Sequence, residues 1–531
     1  MQIVLTILGG LGIFLLGMKL LSENLREAAG DALRLLLSRF TRGRLSSLGT
    51  GTIFTALVQS SSATTLATIG FVSAGLLTFG QAVGVIFGAN LGTTSTSWLV
   101  ATLGLNVSIS SFAYPMVGLG ALASLFLKGR KALFGAAIAG FGLIFVGIDV
   151  LQLGMGDLAD QIDLTAIDAE GLRGQLLLVG VGFIMTVLMQ SSSAAIAATI
   201  TALFAGAVDF PQAAALVIGQ ALGTTSTAII AAIGASLAAR RTAAAHIIFN
   251  VITSVIALAF LPFFLYLYAT FFPALSSAVA LALFHTSFKV LGIAVLLPLL
   301  TPFTRIVDRI VPGEDPQYAA GLDEQVTTIA PVALEAAHRA QLQMYQGLVR
   351  YLNQRLQDPG AADPMPQELD ALNIGLARCR DFLERVHTGT DAESEHQRHL
   401  SILHTLDHLE RLTRRLQVSP QYYLSIATEP PLERANDVLQ KTIARADEVE
   451  ADSAIARSLA DHSEALAQER KTRRHVLLQR AATGDPGPRR LDQLLRTLNW
   501  SDRVAFHLWR AAFYLEGGLF DPAELPNEPV D

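Results

Sequence analysis

The chain has 531 residues, of which 51% are hydrophobic and 16% charged, with a mean hydropathy of +0.44 and a formal net charge of −6. That balance excludes a purely soluble protein, and no nucleic-acid partner is expected from it. The single cysteine, Cys379, excludes an intramolecular disulfide framework and a multi-cysteine metal site, and a lone thiol among polar helical residues reads as incidental.

Charges are sparse up to about residue 310 and dense beyond it, so a membrane domain (1–310) precedes a soluble one (325–531). Met1-Gln2 leads straight into an apolar run, with no basic stretch before it and no small-residue cleavage site after Lys19-Leu20-Leu21-Ser22-Glu23. Residues 3–21 are therefore expected to be a retained first span. Further apolar windows of bilayer length fall near 80–103, 108–127, 132–150, 211–233, 243–270 and 276–300. Two other stretches, 46–77 and 174–207, are long for one span and carry polar residues near their middle. Each is expected to form two half-helices meeting at that polar block, a re-entrant hairpin, because polar backbone at membrane depth must face protein or a watery cavity.

Those polar blocks are near copies. Gln59-Ser60-Ser61-Ser62 recurs as Gln190-Ser191-Ser192-Ser193, and Gly92-Thr93-Thr94-Ser95-Thr96 recurs as Gly223-Thr224-Thr225-Ser226-Thr227, both at an offset of 131. Gly10 to Gly17 matches Gly140 to Gly147 at an offset of 130. The membrane domain is expected to be a duplicated unit, repeat one near 3–130 and repeat two near 132–300.

Orientation follows from the connectors. Arg26, Arg34, Arg39, Arg42 and Arg44 form one basic cluster, Lys128, Arg130 and Lys131 a second, Arg240 and Arg241 a third, Arg305 and Arg309 a fourth. The 151–171 connector is acidic, with Asp157, Asp160, Asp163, Asp168 and Glu170. Placing the basic connectors in the cytoplasm puts the N-terminus and the acidic connector outside and residues 325–531 inside. The hairpins then enter from opposite sides, so the fold class expected is all-α: a polytopic membrane domain of two inverted repeats, each with a re-entrant helical hairpin, followed by a soluble helical bundle.

Hydroxyls, amides and half-helix N-termini can replace the hydration shell of a phosphate-like anion, and the same oxygens with free carbonyls can ligate Na+. Single Ser and Thr residues such as Ser73 and Thr199 read better as small packing residues. A glutamine with three serines, duplicated in register, is too expensive in lipid for packing alone. The Gly-Thr-Thr-Ser-Thr pair can kink its helix and ligate a cation, or its hydroxyls can bond back within the helix. Lys289, mid-way along 276–300, is either functional or a snorkelling lysine, and His285 lies one turn before it. His246 and Asn250 stand four apart in the preceding span, and the histidines read equally well as packing residues.

These blocks, with Gly88-Ala89-Asn90-Leu91-Gly92-Thr93-Thr94 and His246-Ile247-Ile248-Phe249-Asn250, resemble the bacterial Na+/phosphate cotransporters, relatives of the type II renal and intestinal cotransporters. The resemblance covers residues 3–300 and implies that Gln59, Ser60, Ser61, Ser62, Gln190, Ser191, Ser192 and Ser193 bind phosphate and Na+. Asn90, Thr93, Thr94, Thr224, Thr225, Asn250 and Lys289 complete the candidate substrate and ion set, with no catalytic residue, no cofactor and no metal beyond transported Na+. Two positions depart from the family pattern: Gln220-Ala221 stands where Ala-Asn is expected, and Lys289 where the late His-Thr-x-Phe-Asn motif ends in asparagine. Lys289 is expected to lower the number of coupled sodium ions or to admit proton coupling.

Beyond residue 325 the pattern becomes long amphipathic helices broken at Asp358-Pro359-Gly360, Thr428-Glu429-Pro430-Pro431 and Gly484-Asp485-Pro486-Gly487-Pro488, which resembles a PhoU-type bundle. The Glu-x-x-x-Asp metal motif of that bundle keeps one carboxylate per copy, Glu410 and Asp502, both read as helix-surface charges. The function expected is secondary transport of phosphate with Na+ across the cell inner membrane, with the lipid bilayer as partner and homo-oligomerisation left open. The alternative is a membrane-anchored phosphate-responsive regulator acting through its C-terminal bundle, separated by sodium-dependent phosphate uptake. A serine hydrolase fails, since no Gly-x-Ser-x-Gly elbow surrounds either serine block.

Overall fold

The computed structural model describes the chain except residues 1, 42, 74–75, 105–109, 160–168, 170, 234, 314–316, 320, 324–326, 328–329, 360–365, 388–392, 451–453 and 520–531. Most of the acidic connector, including Asp160, Asp163, Asp168 and Glu170, thus lies outside the described residues, as does Gly360. Every described regular element is helical, and the chain divides into two compact units, residues 1–72 with 76–313 and residues 73–75 with 314–531.

The first unit runs α1 (Gln2–Phe40), α2 (Arg44–Val58), α3 (Ser61–Ser73), α4 (Phe79–Gly92), α5 (Thr94–Trp98), a wide turn of π-helix over Leu99–Gly104, α6 (Ser110–Phe126) and α7 (Arg130–Ala159). It continues with α8 (Leu172–Met189), α9 (Ser192–Phe204), α10 (Phe210–Gly223), α11 (Thr225–Ala232), α12 (Leu237–Phe271), α13 (Ser277–Leu296) and α14 (Leu300–Ile310). Among the described residues, six helical stretches are long and apolar enough to cross a membrane: Gln2–Ala28, Arg130–Ala159, Leu172–Met189, Phe210–Ile230, Leu237–Phe271 and Ser277–Leu296. Large apolar side chains face outward on them, as with Leu188 at 78% exposed, which is the surface lipid requires.

Both long polar-centred stretches break where expected, at Gln59-Ser60 and at Gln190-Ser191. They are unequal, however. At 1.5 Å per residue α8, with 18 residues, is about 27 Å long, close to a bilayer core, whereas α2, α3 and α9 are shorter. Half-helix therefore does not describe α8, whose apolar run simply extends further before the serines.

Close packing repeats with the sequence. A Cβ on Gly51 would overlap the carbonyl of Val85, and one on Gly182 that of Leu216. Gly88 meets the carbonyl of Leu48 in the same way, and Gly219 that of Val179. All four contacts obey the 131-residue offset. Both helix pairs run parallel, because contacts advance together: a Cβ on Gly84 meets Ser47 and one on Gly92 Thr55 between α4 and α2. Likewise, one on Gly219 meets Val179 and one on Gly223 Thr186 between α10 and α8. The helix starts match as well, since Thr78 with Gln81 and Asp209 with Gln212 form reciprocal capping boxes. Finally, α1 and α7 run antiparallel through glycine contacts: a Cβ on Gly17 would come 2.7 Å from the carbonyl oxygen of Gly140, and one on Gly10 3.0 Å from that of Gly147.

The second unit comprises α15 (Ala330–Gln357), α16 (Pro366–Leu383), α17 (Glu393–Leu416), α18 (Pro420–Thr428), α19 (Glu433–Ala446), α20 (Ala456–Ala481) and α21 (Pro488–Leu515) around a core that includes Tyr345, Leu348, Leu409, Leu439 and Leu508. Of Cys379 and Asp502, only Asp502 carried a surface expectation, and it is corrected here. Cys379 is fully buried, and burial pushes its thiol up to about 12, so it is an inert core residue. Asp502 is also buried, its carboxylate 2.8 Å from Arg470 Nε, while Glu410 pairs with Arg380.

Buried between α17 and α21, His408 and His507 face each other with Nδ1 atoms 3.1 Å apart. Burial first, then the charge of Arg510, lowers His408 to about 4; burial and then His408 lower His507 to about 3. Below about pH 6.5 the unfolded chain takes up protons on both that the folded chain refuses. Their contribution to stability is complete above pH 6.5 and is lost as pH falls toward 4. The unfolding midpoint followed by Trp500 and Trp509 fluorescence should thus drop between pH 7 and 5, and His507→Phe should flatten that slope; equal slopes in both proteins would refute this assignment.

Candidate functional site

Chain direction reverses at each Gln-Ser-Ser-Ser block, and the glutamine makes the corner. Gln59 (φ 56°) and Gln190 (φ 51°) adopt the left-handed conformation unusual for a side-chain-bearing residue, and each amide donates back to a carbonyl of its own helix, Ala56 and Val187. The serine that follows caps the next helix: Ser60 Oγ accepts from Ala63 N and Ser191 Oγ from Ala194 N, each at 3.2 Å. The N-termini of α3 and α9, with their unpaired N–H groups and positive dipole ends, thus begin at these corners.

Both corners open on one cavity of about 480 Å³. Its walls include Gln59, Ser60, Ser61 and Ser62 from one block, Gln190, Ser191, Ser192 and Ser193 from the other, and Thr186, Thr224 and Thr227. Lys19, Ser22, Glu23 and Arg26 of α1 line it too, with Lys19 4.0 Å from Glu23. Thr96 joins the two blocks: its hydroxyl donates to Gln59 Oε1 at 2.8 Å and lies 3.3 Å from Ser193 Oγ. Gln59 also donates to Ser95 Oγ at 2.9 Å, so the first corner is braced sideways by α5.

The other candidates divide. Thr93, Thr94 and Thr224 direct their hydroxyls back to the carbonyls of Asn90, Leu91 and Ala221, and Thr225 is buried; of these four only Thr224 lines the cavity. Gln220, which stands beside the missing asparagine, is turned away and donates to Thr199 Oγ1 at 2.6 Å and Ala195 O at 3.1 Å. Asn90, Asn250 and Lys289 form a second, separate cluster. Lys289 is 2% exposed, so it does not snorkel, and it donates to Asn90 Oδ1 at 3.1 Å and Asn250 Oδ1 at 2.8 Å. Nearby, Ser97 bonds His285 Nδ1 at 2.8 Å and Trp98 donates to Thr286 at 2.9 Å, tying α5 to α13.

Thr96 and Thr227 stand in the repeated Gly-Thr-Thr-Ser-Thr block, 131 residues apart, but were left out of the candidate set, and Thr186 was not singled out by sequence. The α1 charges gave no signal, because helix α1 reads as a plain span until its neighbours are known.

What the cavity offers is hydroxyls, amides and two helix N-termini to an oxyanion, and no nucleophile–base pair. Comparison with known proteins agrees with that chemistry: residues 13–153 and 163–296 match the family model described as Na+/Pi-cotransporter. The chain belongs to the Na+/Pi-cotransporter family. This is a family of phosphate transporters, not of enzymes. Among its relatives, YqeW of Bacillus subtilis (strain 168), described as uncharacterised, is 32% identical over 312 residues, 57% of this chain and 96% of its own length. YjbB of Escherichia coli (strain K12), provisionally named for inorganic phosphate export, is 27% identical over 429 residues, 77% of this chain and 76% of its own. The Salmonella typhimurium protein of the same name is 26% identical over the same length. No solved structure matches the chain significantly.

Proposed function

We propose that this Na+/Pi-cotransporter family member is a secondary active transporter coupling Na+ movement to inorganic phosphate, with both Gln-Ser-Ser-Ser blocks contacting one phosphate. The observation that carries this is the convergence of Gln59–Ser62 and Gln190–Ser193 on a single cavity with the N-termini of α3 and α9. Thr224 belongs to the same site, and Thr93, Thr94 and Thr225 support the backbone carbonyls that ligate sodium. Asn90, Asn250 and Lys289 form the second ionic locus of the transporter.

The two copies are inverted repeats about a pseudo-two-fold axis in the membrane plane. Supporting this, the Gly10–Gly147 and Gly17–Gly140 contacts exchange when the repeats are exchanged, between helices that run antiparallel. Repeat one spans about 3–130, repeat two about 132–300, and residues 325–531 form a PhoU-like bundle on the cytoplasmic side of the cell inner membrane. One net positive charge crossing 100 mV contributes about 2.3 kcal/mol and a tenfold sodium gradient about 1.4 kcal/mol, together enough for a several-hundredfold phosphate gradient. Net flux reverses when the opposing phosphate gradient exceeds that, which is compatible with relatives named for export.

Proteoliposomes holding the purified chain should take up labelled phosphate when sodium is supplied outside and not when choline replaces it; sodium-independent accumulation would sink the coupling. For orientation, a cysteine placed at Asp163 should react with an impermeant thiol reagent on intact cells, because the acidic connector is external. The buried native Cys379 keeps the background low. Labelling only after permeabilisation would invert the topology.

A further inference from the structure

Lys289 is buried at 2% exposure, and among the described residues no carboxylate pairs with it. Its ammonium is instead held by two amide oxygens from two other helices, Asn90 of α4 at 3.1 Å and Asn250 of α12 at 2.8 Å. Each amide is locked in that sense, because Asn90 Nδ2 donates to Ile86 O at 3.0 Å and Asn250 Nδ2 to His246 O at 2.9 Å. The Oδ1 atoms are thereby committed to the space between the helices. Two ring faces complete the surroundings, with Nζ 5.7 Å from the centroids of Phe249 and of Phe288.

Oxygen lone pairs and π faces converging on one point attract a cation, whatever its identity. Carbonyl-type oxygens are also what Na+ takes from a protein when it sheds water. We propose that the Asn90–Asn250 locus is a monovalent-cation site filled by the chain's own ammonium, so that no sodium ion binds or is carried there. Lys289 is a positioning residue: it ties α4, α12 and α13 together without leaving during the transport cycle, where a diffusible ion would come and go. Truncating Lys289 leaves both locked oxygens facing a space the size of an aminobutyl chain, which Na+ and water then fill.

The consequence for ion count rests on the sodium-coupled reading above, whereas the consequence for binding does not. Full-length Lys289→Asn and Lys289→Ala proteins are melted in sodium chloride and in choline chloride of equal ionic strength. Both variants should show a sodium-dependent rise in Tm larger than that of the wild type, and in proteoliposomes their sodium-to-phosphate flux ratio should increase by one. A sodium increment equal to the wild type's in both variants overturns the proposal. If the wild type carries no sodium with phosphate, the coupling reading fails and the melting comparison still decides this one. Where neither variant folds, thallium-soaked crystals of the wild type decide: no anomalous peak within hydrogen-bonding distance of Asn90 Oδ1 and Asn250 Oδ1 is expected, and a peak there overturns it.

Discussion

Phosphate uptake should fall ten- to a hundredfold in Ser61→Ala and likewise in Ser192→Ala, with unchanged amounts of protein in the membrane. Each serine opens a helix at the cavity, Ser61 in α3 and Ser192 in α9, and among the described residues neither hydroxyl has a hydrogen-bond partner in the protein. Nothing in the fold loses a bond when either is removed. A phosphate loses one, and a hydrogen bond to a charged group contributes about 1.5–3 kcal/mol, which is one to two decades in affinity. The neighbouring caps are poorer probes, since Ser60→Ala or Ser191→Ala would also fray α3 or α9. Wild-type kinetics in both single variants would end the assignment of these loops to phosphate.

A second large effect concerns folding. Gly88→Val and Gly219→Val should each abolish recovery of folded, monodisperse protein. A Cβ at either position would overlap a backbone carbonyl, of Leu48 in α2 and of Val179 in α8, and backbone cannot rotate away as a side chain can. The parallel α2–α4 and α8–α10 pairs would have to separate, carrying the serine corners with them. The contrast lies on the partner helices α2 and α8: nothing stands within 4 Å of a Cβ built at Gly49 or at Gly180, which are themselves 131 residues apart. Gly49→Ala and Gly180→Ala should therefore behave as wild type in size-exclusion profile and in Tm. Folded Gly88→Val or Gly219→Val protein would show that these contacts are slack.

Much of the membrane part was legible because its physics is one-dimensional. Apolar length gives spans, and a polar block in an apolar stretch must break the helix at Gln59 and at Gln190. Composition also separated the soluble helices from the apolar ones. Lateral neighbours were less visible. Thr96 reaches Gln59 and Ser193 only because α5 crosses beside both corners, and no local pattern encodes that crossing. Lys289 could be flagged from its place in a span, but its two asparagine partners lie 199 and 39 residues away. Asp502 was misjudged because in an amphipathic bundle the burial of a single polar side chain depends on which helix covers it, and Arg470 covers Asp502.

The cavity between the serine corners can be inspected directly. A cryo-electron microscopy map of the wild-type protein in saturating phosphate and sodium should hold tetrahedral density touching Ser60–Ser62 on one side and Ser191–Ser193 on the other. Density for the anion anywhere else, with this cavity occupied by water alone, would contradict phosphate binding by the paired Gln-Ser-Ser-Ser blocks.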